Sequence, residues 1–190
     1  FLTPSYDGNR ILTVPQMLVD EITLENRWRV PIYFTAPPYA ESPLKLRERA
    51  ISVGLVYRLE RDPSMTGIDI EKSTELFTKT FRHDGFADSR VYRDENATSV
   101  VVTYGYNASN IFDELLRRGD TARGLELADF IAANYPEYWQ LPLQAAAVYD
   151  RRGDSGRSNE IVTRLRDTLK SFLKVSPRNQ SYMADYGMVL

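Results

Sequence analysis

Cysteine is absent from the 190 residues, which removes thiol nucleophiles, zinc–thiolate sites and disulfides together. Histidine occurs once, as His83, so a metal ion would have to be held by carboxylates. The adjacent pairs Asp20–Glu21 and Asp94–Glu95 are poor chelates, because neighbours along a helix face different directions. No metal site and no cofactor is expected. A Gly-rich phosphate loop, a Gly-x-Ser-x-Gly elbow and a dinucleotide fingerprint are also missing. Excess charge is missing too: 24 basic against 26 acidic side chains leave a net charge of -2, which gives nucleic-acid binding no electrostatic support. Apolar runs end at stretches such as Val100–Val102 and Ala145–Val148, far short of the roughly 20 residues that cross a bilayer. This chain is therefore not expected to span a membrane. It starts at Phe1 with neither methionine nor a signal-peptide pattern, and the expectation is a piece of a longer protein.

What is present suits a globular chain with a substantial core. Residues 1 to 12 are polar and turn-rich and read as a lead-in with little core of its own. Thr13-Val14-Pro15-Gln16 has the pattern of a capping box, with Thr13 as N-cap and Gln16 reaching back to it. Val14, Leu18 and Ile22 then mark one helical face to about Asn26. The β-branched and aromatic run 31–35 predicts a strand, and 52–61 predicts a second with Val53, Leu55, Tyr57 and Leu59 on one side. The two are expected to pair. Between them lie a proline-rich loop and a short helix over 44–50.

Asp69 is a suitable N-cap for a helix carrying Ile70, Ser73, Phe77 and Phe81 at helical spacing, with Gly85 at its end. Propensity and period disagree from Glu95 to Arg118. Val100 to Thr103 favours a strand, yet Val100, Tyr104, Ala108, Ile111 and Leu115 recur at helical spacing. The period predicts a helix, because it persists over four turns, whereas strands average about 5 or 6 residues.

The strongest signal is a repeat. Arg117-Arg118-Gly119-Asp120 returns as Arg151-Arg152-Gly153-Asp154, 34 residues later, which equals the tetratricopeptide period of about 34. Glycine past a helix end supplies a left-handed C′ residue, and the aspartate after it can cap the next helix. Frames starting near Gly105 and Trp139 put small or apolar residues at most of the positions that the repeat needs. Phe112 departs from the pattern where glycine is usual, and the second closing proline is delayed from the Pro136 position to Pro177. The fold expected is α+β and mostly helical: an N-terminal α/β lobe with two paired strands over 1–94, then tetratricopeptide-like hairpins over 95–190, sharing one core. The tail Tyr182 to Leu190 is a candidate cap for the last hairpin.

Candidate binding residues follow from this layout. Tyr135, Tyr138 and Trp139 surround Pro136 where the repeats join, and could stack on a peptide or sugar; inter-repeat packing is the weightier reading. Arg117 and Arg151, with Arg118 and Arg152, recur at equivalent turns and could line an edge that receives acidic groups, although such charges more often form a solvated turn. His83 beside Asp84 could make an acid–base pair, but a histidine at a helix end more commonly meets terminal carbonyls.

Leu12-Thr13-Val14-Pro15-Gln16 through Asp20-Glu21-Ile22, then Asn26-Arg27-Trp28-Arg29-Val30-Pro31-Ile32-Tyr33-Phe34, then Gly54-Leu55-Val56-Tyr57-Arg58-Leu59 and the hairpins, together resemble one family. It comprises multi-pass membrane proteins similar to transmembrane protein O-mannosyltransferases, catalogued in bacteria as a domain of unknown function. The resemblance covers about Leu12 to Pro177. It implies a type C glycosyltransferase-like membrane portion that uses a lipid-linked sugar, with this chain as its extracytoplasmic, periplasmic or lumenal, C-terminal domain. The family's catalytic residues would lie in that membrane portion, so none is assigned here. Within the resemblance, Trp28 to Phe34 is read as a strand and its lead-in, kept apolar for the core, in preference to a sugar site.

The reading that results is a non-catalytic accessory domain that binds an acceptor protein or peptide, or packs on its own transmembrane domain. Two rivals stand beside it. One is an independent carbohydrate-active enzyme with an Asp/Glu acid–base pair roughly 5 to 9.5 Å apart; the other is a structural module that promotes oligomers.

Overall fold

A computed structural model describes residues 5–7, 10–40, 42–62, 64–65, 67–88, 91, 94–135, 138–175 and 187. The fold is α+β and mostly helical, with a small sheet near the N-terminus followed by helices. It divides into two compact units, Phe1–Ser73 and Thr74–Leu190.

In the first unit, the lead-in segment is not featureless: β1 (Ser5–Asp7) and β2 (Arg10–Leu12) form an antiparallel hairpin. Helix α1 (Val14–Asn26) follows and starts as the sequence predicts, with Gln16 Oε1 accepting the Thr13 backbone N–H at 2.8 Å. The expected apolar face is not its buried face, however. Leu18 and Ile22 are exposed, while Asp20 and Thr23 are buried. The loop that follows explains this. Ser42 Oγ donates to Asp20 Oδ1 at 2.6 Å and Tyr39 Oη donates to the Gln16 carbonyl at 2.6 Å, so hydrogen bonding selects the polar side of the helix. Burial, and secondarily a hydrogen bond to Asp20, push the Tyr39 hydroxyl pKa well above its usual value.

The sheet has four strands, not two. β3 (Tyr33–Phe34), β4 (Ala50–Val53), β5 (Val56–Leu59) and β6 (Gly67–Ile68) lie in the order β3-β5-β4-β6. The predicted pairing of the two segments holds, with Tyr33 opposite Arg58 and Phe34 opposite Tyr57. What differs is the single strand expected over 52–61, which folds back on itself. Gly54 sits at φ 64° and opens a two-residue turn, so Val53 pairs with Val56 and Leu55 leaves the strand face. A glycine at the first turn position permits the backbone twist that a tight hairpin needs. The expected helix over 44–50 reduces to the 3-10 turn Leu46–Arg49. Leu46, Ile51, Val53, Leu59 and Ile70 form the buried apolar set of this unit.

Helix α2 (Ile70–Glu75) begins where Asp69 Oδ1 accepts the Lys72 N–H at 3.1 Å, and it continues as a π-helical turn, Leu76–Thr80. The helix therefore ends five residues before Gly85, the stop expected for it. The division between units falls within this helical segment, not at 94/95. Residues after Ser73 belong with the helices because Phe77, Phe81 and Phe86 all pack edge-on against Tyr104, with ring centroids 5.6 to 6.0 Å away.

The second unit holds α3 (Glu95–Arg117), α4 (Thr121–Asn134), α5 (Gln140–Arg151) and α6 (Ser155–Val175). Helical period prevails over β propensity in α3, and Ala108, Ile111 and Leu115 are buried where the period places them; only in the first turns does the face differ, with Val101 fully buried and Val100 half exposed. Helices α3 and α4 pair as one hairpin, α5 and α6 as the next, and α4 packs on α5. Trp139, Ala146, Ile161, Leu165, Leu169 and Phe172 form the core of the second hairpin. Pro136, Pro177 and the proposed cap Tyr182–Leu190, apart from Gly187, lie outside the described residues.

Candidate functional site

The two Arg-Arg-Gly-Asp turns have one geometry. Gly119 and Gly153 both sit at φ 82°. Asp120 N–H donates to the Leu115 carbonyl at 2.9 Å and Asp154 N–H to the Tyr149 carbonyl at 3.0 Å, the long bond of a Schellman motif in each case. The same aspartates then start the following helices, accepting from the Arg123 N–H at 3.3 Å and the Arg157 N–H at 3.0 Å. One residue thus closes one helix and opens the next, which fixes both hairpins with three-residue connections.

The arginines of the two turns are not equivalent. Arg117 Nε donates to Glu114 Oε2 at 2.7 Å and Arg118 Nε to Glu114 Oε1 at 2.9 Å. The residue that corresponds to Glu114 one repeat later is the buried Val148. Arg151 and Arg152 accordingly have no ion pair among the described residues, and both are exposed. Of the two arginine candidates, Arg117 is committed to an internal carboxylate, whereas Arg151 keeps its charge open to solvent.

The Glu114 fork has a consequence for pH. The Arg117 hydrogen bond first, and then Arg118, hold the Glu114 carboxyl down to about 2. A depressed carboxylate adds stability above its unfolded pKa of about 4.3 and loses it as pH falls through the folded value. Thermal melts of wild type and Glu114→Gln should therefore differ at pH 6 and converge between about pH 4 and 2. A difference that persists unchanged to the acid limit would refute this assignment.

The aromatic candidates are corrected by their burial. Tyr135 is 0 % exposed, Tyr138 9 % and Trp139 8 %, so none offers a stacking face to a peptide or sugar. They are the packing of the repeat junction. Tyr135 lies against Tyr104, Phe86 and His83, its ring centroid 5.2 to 5.6 Å from theirs. Tyr138 covers Gly105 so closely that a Cβ there would lie 2.1 Å from its Cγ. His83 belongs to the same cluster: its Nε2 meets the Phe77 carbonyl at 2.8 Å, near the end of the π-helical turn, and its Nδ1 meets the Tyr135 hydroxyl. This is the helix-end role, with both ring nitrogens occupied. Among the described residues no group of three His, Asp or Glu side chains is placed to hold a metal ion.

A second feature was not anticipated. The strand and lead-in Trp28 to Phe34 carry apolar residues that the sequence assigns to the core, yet Trp28 is 38 %, Val30 62 % and Tyr33 53 % exposed. Asn26 holds this loop open by bracketing Val30, donating from Nδ2 to its carbonyl at 2.8 Å and accepting its N–H at 3.3 Å. Arg27 and Trp28 are left in the left-handed region at φ 48° and 60°, as is Lys45 at φ 54°. Conformations of that kind in residues other than glycine cost about 1 to 3 kcal/mol each and gather at functional sites. Trp28 and Lys45 line a cavity of about 480 Å³ with Leu24, Leu46, Arg49 and Arg61. An adjoining cavity of about 600 Å³ shares Trp28 and Arg61 and adds Arg29, Val30, Tyr33 and Arg58. The signal in the sequence was the alternation of Arg with Trp and Val directly after a helix end, which a strand prediction absorbed.

The chain is thus an α+β protein with helical hairpins and a basic, aromatic cleft in its first unit. Neither a protein-family model, nor a curated protein, nor a solved structure matches it.

Proposed function

We infer that this chain is a non-catalytic accessory domain whose tetratricopeptide-like hairpins hold an acidic segment of a protein, either an acceptor or the transmembrane portion of the same protein. The observation that carries the reading is the difference between the two turns: the same backbone geometry presents Arg151 and Arg152 without the carboxylate that Glu114 gives to Arg117 and Arg118. Two adjacent guanidiniums on a rigid turn suit carboxylates, because the planar fork of each can bind one bidentately. The residues that resemble the O-mannosyltransferase-like membrane proteins support an extracytoplasmic setting. No helix among the described residues is long and apolar enough to cross a membrane, and on this reading the membrane-spanning part lies elsewhere in the protein.

An array of acidic and neutral peptides probed with the full chain tests the proposal. Arg151→Ala/Arg152→Ala should weaken capture of acidic peptides by about tenfold, as charge-assisted hydrogen bonds contribute about 1.5 to 3 kcal/mol. Arg117→Ala should change it little. Equal loss from both variants, or none from either, would rule out the second turn as the binding edge.

A further inference from the structure

The cleft in the first unit is chemically distinct from the hairpin turns and independent of the reading given for them. We propose that it is a membrane-surface site that takes the phosphate of an anionic phospholipid headgroup, with Trp28, Leu24 and Val30 seated in the interfacial layer.

Charge is the first argument. Lys45, Arg49 and Arg61 line the smaller cavity and, among the described residues, no carboxylate does, although the chain as a whole carries -2. Arg49 is fixed in place by backbone carbonyls, its Nε donating to the Leu44 carbonyl at 3.2 Å and another guanidinium nitrogen to the Arg61 carbonyl at 2.5 Å, with the exposed Asp62 carboxylate within electrostatic reach. Its guanidinium carbon stands 6.0 Å from the centroid of the Trp28 ring, at the outer reach of a cation–π contact. Among the described residues Lys45 has an exposed pair with Glu48 at 3.5 Å, which salt and a competing anion displace readily. Arg61 has no ion pair among the described residues. In the adjoining cavity the balance differs, because Arg58 is held by Glu60 at 2.6 Å and Asp69 at 3.7 Å. The anion therefore belongs in the Lys45–Arg49–Arg61 side.

Apolar exposure is the second argument. Single exposed apolar residues are ordinary, but a cluster of them marks an interaction surface. Leu24 at 55 %, Trp28 at 38 %, Val30 at 62 % and Tyr33 at 53 % exposure all border the same two cavities as the cations. Tryptophan and tyrosine concentrate at membrane–water interfaces, and arginine and lysine beside them meet lipid phosphates. An acidic protein face would satisfy the cations, and a soluble phosphate ester would fit the cavity. Only a lipid surface uses the phosphate site and the exposed apolar rim together.

Co-sedimentation of the full chain with phosphatidylcholine vesicles, with and without added phosphatidylglycerol, tests this. Wild type should bind the anionic vesicles and lose binding as salt is raised. Lys45→Glu/Arg61→Glu, checked for folding by circular dichroism, should reduce partitioning by about tenfold or more. Trp28→Ala should weaken binding to anionic vesicles and abolish the blue shift of tryptophan emission that wild type shows on them. Failure of wild type to bind anionic vesicles overturns the proposal, as does equal binding with and without phosphatidylglycerol. So does binding that survives the charge reversal. Saturable binding of glycerol 3-phosphate without vesicle binding would assign the cleft to a soluble phosphate ester instead.

Discussion

Tyr135→Ala is expected to lower the unfolding free energy of the helical unit by about 3 to 5 kcal/mol, the cost usual for deleting a buried aromatic ring. The ring is fully buried and touches Tyr104, Phe86 and His83, so its loss leaves a cavity lined by rigid rings that cannot collapse into it. Tyr135→Phe should cost only about 1 kcal/mol, since it keeps the ring and leaves only the His83 Nδ1 without its partner. Against a total stability of about 5 to 15 kcal/mol, the alanine variant removes a large fraction. Denaturant unfolding followed by circular dichroism checks both. Similar midpoints for the two variants would mean that the hydroxyl, not the ring, carries the contribution.

Gly105→Ala is expected to destabilise by about 2 kcal/mol or more, although alanine is the better helix former by about 1 kcal/mol. The added methyl would occupy the space of the Tyr138 ring. That ring is anchored, because the Tyr138 N–H donates to the Tyr135 carbonyl at 2.9 Å just before α5 begins. Overpacking therefore displaces α5 from α3 instead of being absorbed by a rotamer change. Melting should fall by roughly 4 to 8 °C. Tyr138→Ala combined with Gly105→Ala supplies the control: in a double-mutant cycle the glycine substitution should cost little once the ring is gone. A Gly105→Ala protein that melts at or above wild type would show that the close approach is not what selects glycine.

The sequence signals that the structure keeps are mostly local ones. The capping box at Thr13 and Gln16, the N-cap at Asp69 and both Arg-Arg-Gly-Asp turns depend on a few consecutive residues, and each appears where the pattern puts it. The errors lie where distant groups decide. Gly54 could have been a strand residue as easily as a turn; pairing of Val53 with Val56 made it a turn. Val100 and Val101 are equivalent by propensity, and only the packed neighbours of α3 determine that Val101 is the buried one. Leu18 and Ile22 look like a core face, but the buried hydrogen bond from Ser42 to Asp20 turns the opposite side of α1 inward.

The candidate sites divide along the same line. That Tyr135, Tyr138 and Trp139 are aromatic and grouped at the repeat junction was visible in the chain, but their burial was not, since a ring beside a turn can face either way. The cleft of Trp28, Lys45, Arg49 and Arg61 joins residues up to 33 positions apart and has no signature in any single window. The order of the elements, the helix caps and the 34-residue hairpin period were determined by the sequence itself, because backbone hydrogen bonding and capping act over one or two turns. Which face of α1 is buried, where the strand folds back and which charges stand unpaired were decided by tertiary structure. Burial and charge neutralisation depend on whatever the fold brings into contact, and no local pattern records that.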